Sequence, residues 1–498
     1  MVEYQVVMTA EDEDRIRGDS DSLESGSDSA DPATDSSLEA VVSRIRERVV
    51  PDDAEREALA AAARTLIDRA DAAATARCPD ADVLQVGSTA RDTWISGDRD
   101  IDIFVRFPPD LERETLEEYG LEVGHETLPA GHEEFAEHPY VKGNFDGFDV
   151  DVVPCFRLES ATEIQSAVDR TPFHTRYLNE RLDDEITADI RVTKQFCKGI
   201  GVYGSDLRTR GFSGYLTELL VCEYGGFRPL LEAASDWNPP VRLDPESHEG
   251  KPDSSSVDGS DTAAVQFDDP LVVIDPTDPE RNVAAVASAE NVARFQHYAR
   301  DVLESPRESL FEPRDPEPLD AAALRTHLTN RGTTPVAVRF DAPALVEDQL
   351  YPQLRKSLSG ITSKLDARGF DVFRATTFAD DSAVVFVELA VTERPALERH
   401  DGPPVHVRSH AEGFFDAYAD DPDAYGPFID GDRYVTERER EFTTATAFLE
   451  SERLLEAGLG AHVETALEDG YDVLVGDDVT DLLGEFDQEL ARYYDPRP

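Results

Sequence analysis

Two aspartate pairs carry the chemistry this chain can do. Asp100 and Asp102 stand two apart in the run DIDIFV, and Asp149 and Asp151 repeat that spacing in DVDVVP. On a β-strand, residues two apart share a face, so each pair lies together while Ile101 and Ile103 point into a core. Carboxylates side by side repel one another unless a cation sits between them. Mg2+ is a hard ion that takes oxygen ligands of this kind. Upstream, the apolar run Val83–Val86 ends in a Gly87-Ser88 turn, whose N–H groups and hydroxyl suit phosphate oxygens. Arg91 follows. A phosphate cradle facing a paired-carboxylate cation site is the equipment for nucleotidyl transfer, in which a 3′-hydroxyl attacks the α-phosphate of an NTP and pyrophosphate leaves. Two Mg2+ ions about 3.5–4 Å apart support that reaction, and three carboxylates can hold them.

These residues need a sheet beneath them, and residues 80–155 supply its strands. Ser37 caps a helix from Leu38. Pro51-Asp52-Asp53 opens a second helix to about Ala76, whose stripe of Leu59, Ala63, Leu66 and Ala70 packs behind the sheet. His125, His132 and His138 suit no metal by their spacing and are expected in solvated loops between strands. From Glu159 the text turns helical. Asp183–Ile200 places Ile186, Ile190, Cys197 and Ile200 on one side and Arg191, Lys194 and Lys198 on another. Lysine is scarce here, so the second stripe is expected to face phosphate. Ser213 caps Gly214–Tyr224, expected in the core. Residues 244–266 form a polar surface insertion, Leu271–Ile274 a strand and Asp275-Pro-Thr-Asp-Pro279 a turn. Ser288 caps a helix to about Val302, and Pro313–Pro318 is a linker. Beyond it, Val336–Phe340, Tyr351–Arg368, Val372–Thr377 and Ala383–Val391 give a βαββ order. Arg355, Lys356, Lys364 and Arg368 make its helix a candidate RNA contact. An amphipathic helix is expected near Thr443–Ala457.

The reading is multidomain α+β: a disordered acidic tail over 1–37, a catalytic head over 38–155, a helical middle over 156–310 carrying the 244–266 insertion, and an α+β region over 311–498. The 498 residues include 48 basic and 105 acidic ones, for a net charge of −57. Nucleic-acid binders usually show a basic footprint. Here the acid is spread along nearly the whole chain, as on a surface adapted to a salt-saturated cytoplasm, where the Debye length falls to about 3 Å. No apolar run is long enough for a membrane span and no secretory signal opens the chain. The cysteines Cys78, Cys155, Cys197 and Cys222 fit neither zinc nor disulfide spacing and are expected reduced, in a cytoplasmic protein.

The blocks GSTARDTW, DIDIFV, DVDVVPCF, TPFHTRYL, GVYGSDLRTRGFSGY and DPTDPERNVAAVAS run in order from Gly87 to Ser288. Together they resemble the archaeal (class I) CCA-adding enzymes, in the nucleotidyltransferase superfamily that also includes poly(A) polymerases. The resemblance implies a polymerase β-like head with a mixed sheet and a third carboxylate from a neighbouring strand. Asp151, directly before Val-Val-Pro, is favoured for it, with Asp149 as the fallback. It implies Asp100, Asp102 and Asp151 as catalytic residues and ligands of two Mg2+, with Asp102 bridging. It implies Ser88, Arg91, His174, Lys194 and Tyr203 as contacts to CTP and ATP, and Arg281 as the base-selecting residue, acting with the bound RNA end. A salt bridge from Arg281 to Asp275 or Asp278 is compatible with that role. The implied activity is addition and repair of the 3′-terminal CCA of tRNA without a nucleic-acid template. The implied partner is tRNA, through its acceptor end and elbow; a homodimer is left open. The alternatives are a poly(A)-type terminal RNA nucleotidyltransferase and an RNA-binding protein with an inactive head. The presence of all three carboxylates and Ser88 speaks against the second.

Overall fold

The computed structural model describes residues 37–135, 137–248 and 267–498. The acidic tail before Ser37 and most of the 244–266 insertion lie outside the described residues. Three cores follow one another along the chain.

The first core forms where the strand alternation seen in DIDIFV meets two helices. Strands β1 (Asp82–Val86), β2 (Asp100–Phe107), β3 (His132–Phe135), β4 (Pro139–Phe145) and β5 (Phe148–Phe156) make a sheet of order β1-β2-β5-β4-β3. Only the β2–β5 pair is parallel. Ile101, Ile103, Val105, Val150 and Val152 face α2 (Asp53–Arg77) and α4 (Arg113–Thr127) in one apolar layer. Asp52 and Glu55 start α2 with a capping box, each satisfying one of the other's free backbone N–H groups. The opposite face of the sheet carries the aspartates. Between β1 and β2 lie a one-turn helix, α3 (Gly87–Ala90), and the loop to Arg99.

The second core gathers α5 (Thr171–Asn179), α6 (Asp184–Gly199), α7 (Gly214–Tyr224), α8 (Phe227–Ser235) and α9 (Ala289–Glu304). This region, expected as helical, also holds a small sheet of β6 (Val241–Leu243), β7 (Leu271–Asp275) and β8 (Asp278–Asn282). The first helix, α1 (Leu38–Val49), was expected in the head. It instead inserts Leu38, Val41, Ile45 and Val49 into this second core. Helical periodicity defines an apolar face but not the surface that covers it.

The third region keeps the expected βαββ order as β9 (Thr334–Asp341), α11 (Glu347–Ala367), β10 (Val372–Ala379) and β11 (Ser382–Leu389), preceded by α10 (Ala321–Arg331). A separate sheet follows, of β12 (Leu397–Pro404), β13 (Ala424–Asp430) and β14 (Arg433–Glu439), with α12 (Arg408–Tyr418) beside it. β15 (Asp472–Val475) returns to pair with β9, completing the order β10-β11-β9-β15. The single helix expected over Thr443–Ala457 is two pieces, Ala445–Leu449 and the 3-10 turns of Glu452–Ala457.

The three histidines match the expectation of solvated loop residues only in part: His125 and His132 reach solvent but lie within regular elements, and His138 lies in a loop but is buried. His125 lies on α4 and His132 on β3, while His138 is buried with Nδ1 3.1 Å from Glu117 Oε1. Gly120 and Gly124 sit where α4 meets the sheet, which removes the large apolar side chains that would have marked its buried face. Among the described residues no helix is long and apolar enough to cross a membrane.

A net charge of −57 strains a compact body at low ionic strength. Melting temperature and addition rate should therefore both rise from ~0.1 M to molar KCl, as screening shortens to about 3 Å. Differential scanning fluorimetry and rate measurements on one preparation test this. A monotonic fall in both would leave the acidity needing another explanation.

Candidate active site

The parallel pairing of β2 with β5 sets Asp102 beside Asp151 and Asp100 beside Asp149, all four on one face. Asp102 and Asp151 are half-buried, while Asp100 and Asp149 are exposed. β4 adds Lys142 opposite Asp151, with its Nζ 3.7 Å from Asp151 Oδ1. Asn144 Nδ2 donates to Asp149 Oδ1 at 3.4 Å. Burial, followed by repulsion from Asp151 and Asp100, pushes the Asp102 carboxyl up to about 7. Burial and neighbouring acids also raise Asp151, against the pull of Lys142, and burial with Asp98 and Asp149 raises Asp100. Carboxylates that destabilise one another's charge are a fitting donor set for a hard cation. Among the described residues no three His, Cys, Asp or Glu side chains form a preformed metal cage. A Mg2+ site that takes one or two carboxylates plus substrate phosphates needs none.

The Gly87-Ser88 turn rests directly on this cluster. A Cβ at Gly87 would fall 2.0 Å from Asp102 Oδ2, and Gly87 holds φ +76°, a left-handed conformation that favours glycine. Val86 caps α3 with no side-chain acceptor, leaving the first N–H groups of the turn available to an anion. The Ser88 carbonyl is occupied from behind by the N–H groups of Arg91 and Thr93, at 3.2 and 3.0 Å.

Behind that turn lies a buried charge network. Arg91 Nε donates to Glu218 Oε2 at 2.8 Å and its NH1 to Thr175 Oγ1 at 3.1 Å. Lys194 Nζ is 2.7 Å from Glu218 Oε1 and 3.0 Å from the Thr93 carbonyl. Burial alone would raise Glu218, but Lys194 and Arg91 overcome it and hold the carboxyl at about 2. Two cations around one carboxylate leave one net positive charge under Ser88. The expected phosphate-facing stripe of α6 is thus a seam against the head. Arg191 Nε donates to the Trp94 carbonyl at 3.0 Å, and Lys198 Nζ pairs with Asp98 at 2.8 Å. Tyr203 packs beside Lys198, whose Nζ is 5.4 Å from its ring centroid. Glu218 was missed in the sequence because it stands within an apolar helix read only as core. An acid flanked by Leu216, Leu219 and Leu220 was the available signal, since a buried carboxylate requires cationic or donor partners.

A third cluster adjoins Arg91. His174 Nε2 lies 2.8 Å from Asp275 Oδ2 and its ring stacks on Tyr215, centroids 4.0 Å apart. Burial lowers the His174 pKa against the opposing effect of Asp275. Arg281 NH1 reaches the same Asp275 oxygen at 2.8 Å, with its side chain 35% exposed. Asp278 pairs with Arg170 instead, at 3.0 Å.

A mixed-sheet head with aspartates on two adjacent strands beside a Gly-Ser turn is a nucleotidyltransferase. A model of the nucleotidyltransferase domain matches residues 71–174, one of the tRNA nucleotidyltransferase second domain residues 188–312, and one of the CCA-adding enzyme C-terminal domain residues 331–476. A CCA-adding enzyme of Haloarcula marismortui is 59% identical over 475 residues, covering 92% of this chain and 99% of that one. The CCA-adding enzyme of Methanoregula boonei is 43% identical over 452 residues, covering 90% and 93%. A solved structure of the Cid1 poly(U) polymerase is similar at a TM-score of 0.42 and 15% identity, covering 55% of this chain and 98% of that one. The chain belongs to the CCA-adding enzyme family. It is a tRNA nucleotidyltransferase.

Proposed function

We propose that the aspartate face and the Gly87-Ser88 turn add and repair the 3′-terminal CCA of tRNA from CTP and ATP, in the cytoplasm. Template-independent CCA addition is the activity of the family to which the chain belongs. The observation that carries the residue assignment is the contact of Asp102 with Gly87, which makes cation ligand and phosphate cradle one unit. Asp100, Asp102 and Asp151 would hold two Mg2+ ions, which would supply activation of the 3′-hydroxyl and neutralisation of phosphoryl charge. Ser88 and the turn's N–H groups hold the triphosphate tail. Arg91 and Lys194 place positive charge beneath it, and His174 and Tyr203 line the nucleotide. The acceptor end of the tRNA reaches the aspartates, and its elbow rests on residues 311–498. End-labelling of tRNA lacking CCA, in concentrated KCl with each NTP offered separately, tests this. Incorporation of CTP and then ATP is expected, and ATP incorporation alone would favour a poly(A)-type enzyme.

Arg281 reads the base, oriented by Asp275. Arg281→Ala should lower the ratio of correct to incorrect incorporation about tenfold, the scale of one charged hydrogen bond, while the KM for each NTP changes only a few-fold. An unchanged ratio would make Arg281 structural.

A further inference from the structure

The loop after Tyr203 and helix α11 meet in two rungs, and the next position along each brings a cation. Leu207 N–H donates to Asp348 Oδ1 at 2.6 Å. Arg208 pairs with Glu347 at 2.8 Å and lies 5.4 Å from the Tyr351 ring centroid. Asp348, Tyr351 and Arg355 follow one another by three and four residues and so share a face of α11. The same register carries the next loop cation, Arg210, toward Arg355, one turn of α11 beyond Tyr351. Burial, and after it the charge of Arg210, disfavours the charge on Arg355. Among the described residues neither has a carboxylate within ion-pair distance, although 105 of the chain's 498 residues are acidic. From Gln349 to Leu365, α11 carries no Asp or Glu at all.

Arg210 is also held in a conformation that disfavours it. Its φ is +53°, unusual for a residue with a side chain. The surroundings fix it there. Its N–H donates to the Asp206 carbonyl at 2.8 Å, and its carbonyl accepts from Ser288 N–H at 2.9 Å. Asn291 Nδ2 donates to the Thr209 and Arg210 carbonyls at 2.7 and 3.0 Å. A strained residue that its neighbours over-determine is a pointer to function. Arg210 is exposed and Arg355 half-buried, so an anion can reach both.

We propose that Arg210 and Arg355 form a clamp for a backbone phosphate of the RNA substrate, at the junction of the second and third cores. The proposal rests on the reading of the chain as a tRNA nucleotidyltransferase. Two planar donor forks around one phosphate relieve their mutual repulsion. The clamp lies on the same loop as Tyr203, and so can position the strand whose 3′ end the aspartates extend. A phosphodiester and a free triphosphate share this chemistry, and separate measurements distinguish them.

The test uses the full chain, with tRNA Kd measured across a KCl series, the KM of CTP and ATP, and the melting temperature. Arg210→Gly and Arg355→Gln should each weaken tRNA binding about tenfold and reduce the slope of log Kd on log salt by about one, leaving the NTP KM within twofold. Arg355→Glu gives Arg210 an ion-pair partner. It should keep or raise the melting temperature while weakening tRNA binding still further. Unchanged tRNA affinity and slope would overturn the clamp. So would a rise confined to the NTP KM, which would make the anion the triphosphate, or a marked loss of melting temperature in Arg355→Gln, which would make the pair a domain anchor. Wild-type protein that adds nothing to tRNA would defeat the activity reading instead.

Discussion

Replacing Asp102 by Asn is expected to abolish nucleotide addition and at the same time to stabilise the metal-free protein at alkaline pH. The catalytic loss follows from removing the central charged ligand, and turnover should fall by roughly 10^3-fold or more. The stability gain follows from the shifted ionisation. The Asp102 carboxyl titrates near 7 in the folded chain against an ordinary value of 3.8. The unfolded chain therefore releases this proton at lower pH than the folded one. Folded stability declines as pH rises from about 4 to about 7 and stays lowered above that. The full shift corresponds to ~4 kcal/mol, and partial solvent access reduces it to ~1–3 kcal/mol. Asn has no such titration, so its advantage in EDTA should be larger at pH 8 than at pH 5. Equal gains at the two pH values, or near-normal turnover, would contradict the site. Asp151→Asn should match the catalytic loss and Asp149→Asn should be mild; the reverse order would move the third ligand to Asp149.

Glu218→Gln is expected to be among the most destabilising single changes in the chain. It would leave Arg91 and Lys194 as buried cations without their shared carboxylate. Breaking a buried ion pair from one side costs about 3–5 kcal/mol, or roughly 10 °C of melting temperature at 2–4 °C per kcal/mol. Concentrated KCl should not restore it, because buried pairs are poorly screened. The NTP KM should rise as well, since the charge under Ser88 loses its anchor. Because the Glu218 carboxyl is held at about 2, its contribution is complete above its unfolded pKa near 4.5 and lost as pH falls toward 2. A melting temperature within about 2 °C of wild type would show that the network is not what holds the turn.

The aspartate face was readable from the sequence because strand geometry has a period of two. Asp100 with Asp102, and Asp149 with Asp151, could each be set on one face of a strand before any packing was known. The parallel pairing that brings Asp102 beside Asp151 was not readable, since it depends on β3 and β4 lying beyond β5 and not between β2 and β5. The same limit explains the stripe of Arg191, Lys194 and Lys198. Its spacing defined a cationic side of α6, but only the fold shows that the head's loop covers it. The small sheet at 397–439 escaped notice because exposed residues interrupt the alternation of its strands, among them Tyr425 and Ile429.

That covered seam bears on how the enzyme can change over time. The loop from Arg91 to Asp98 belongs to the head by chain order, and α2 holds it through Glu55 and Arg56, yet a second set of fastenings comes from α6 and α7. Arg191 holds Asp92 and Trp94, Lys194 and Glu218 hold Thr93, and Lys198 holds Asp98. A head exchanged alone would carry its aspartates intact and lose every one of those anchors. The two segments are therefore a single inheritance unit, in which a substitution on either side of the seam is free to persist only if the other side still fits it.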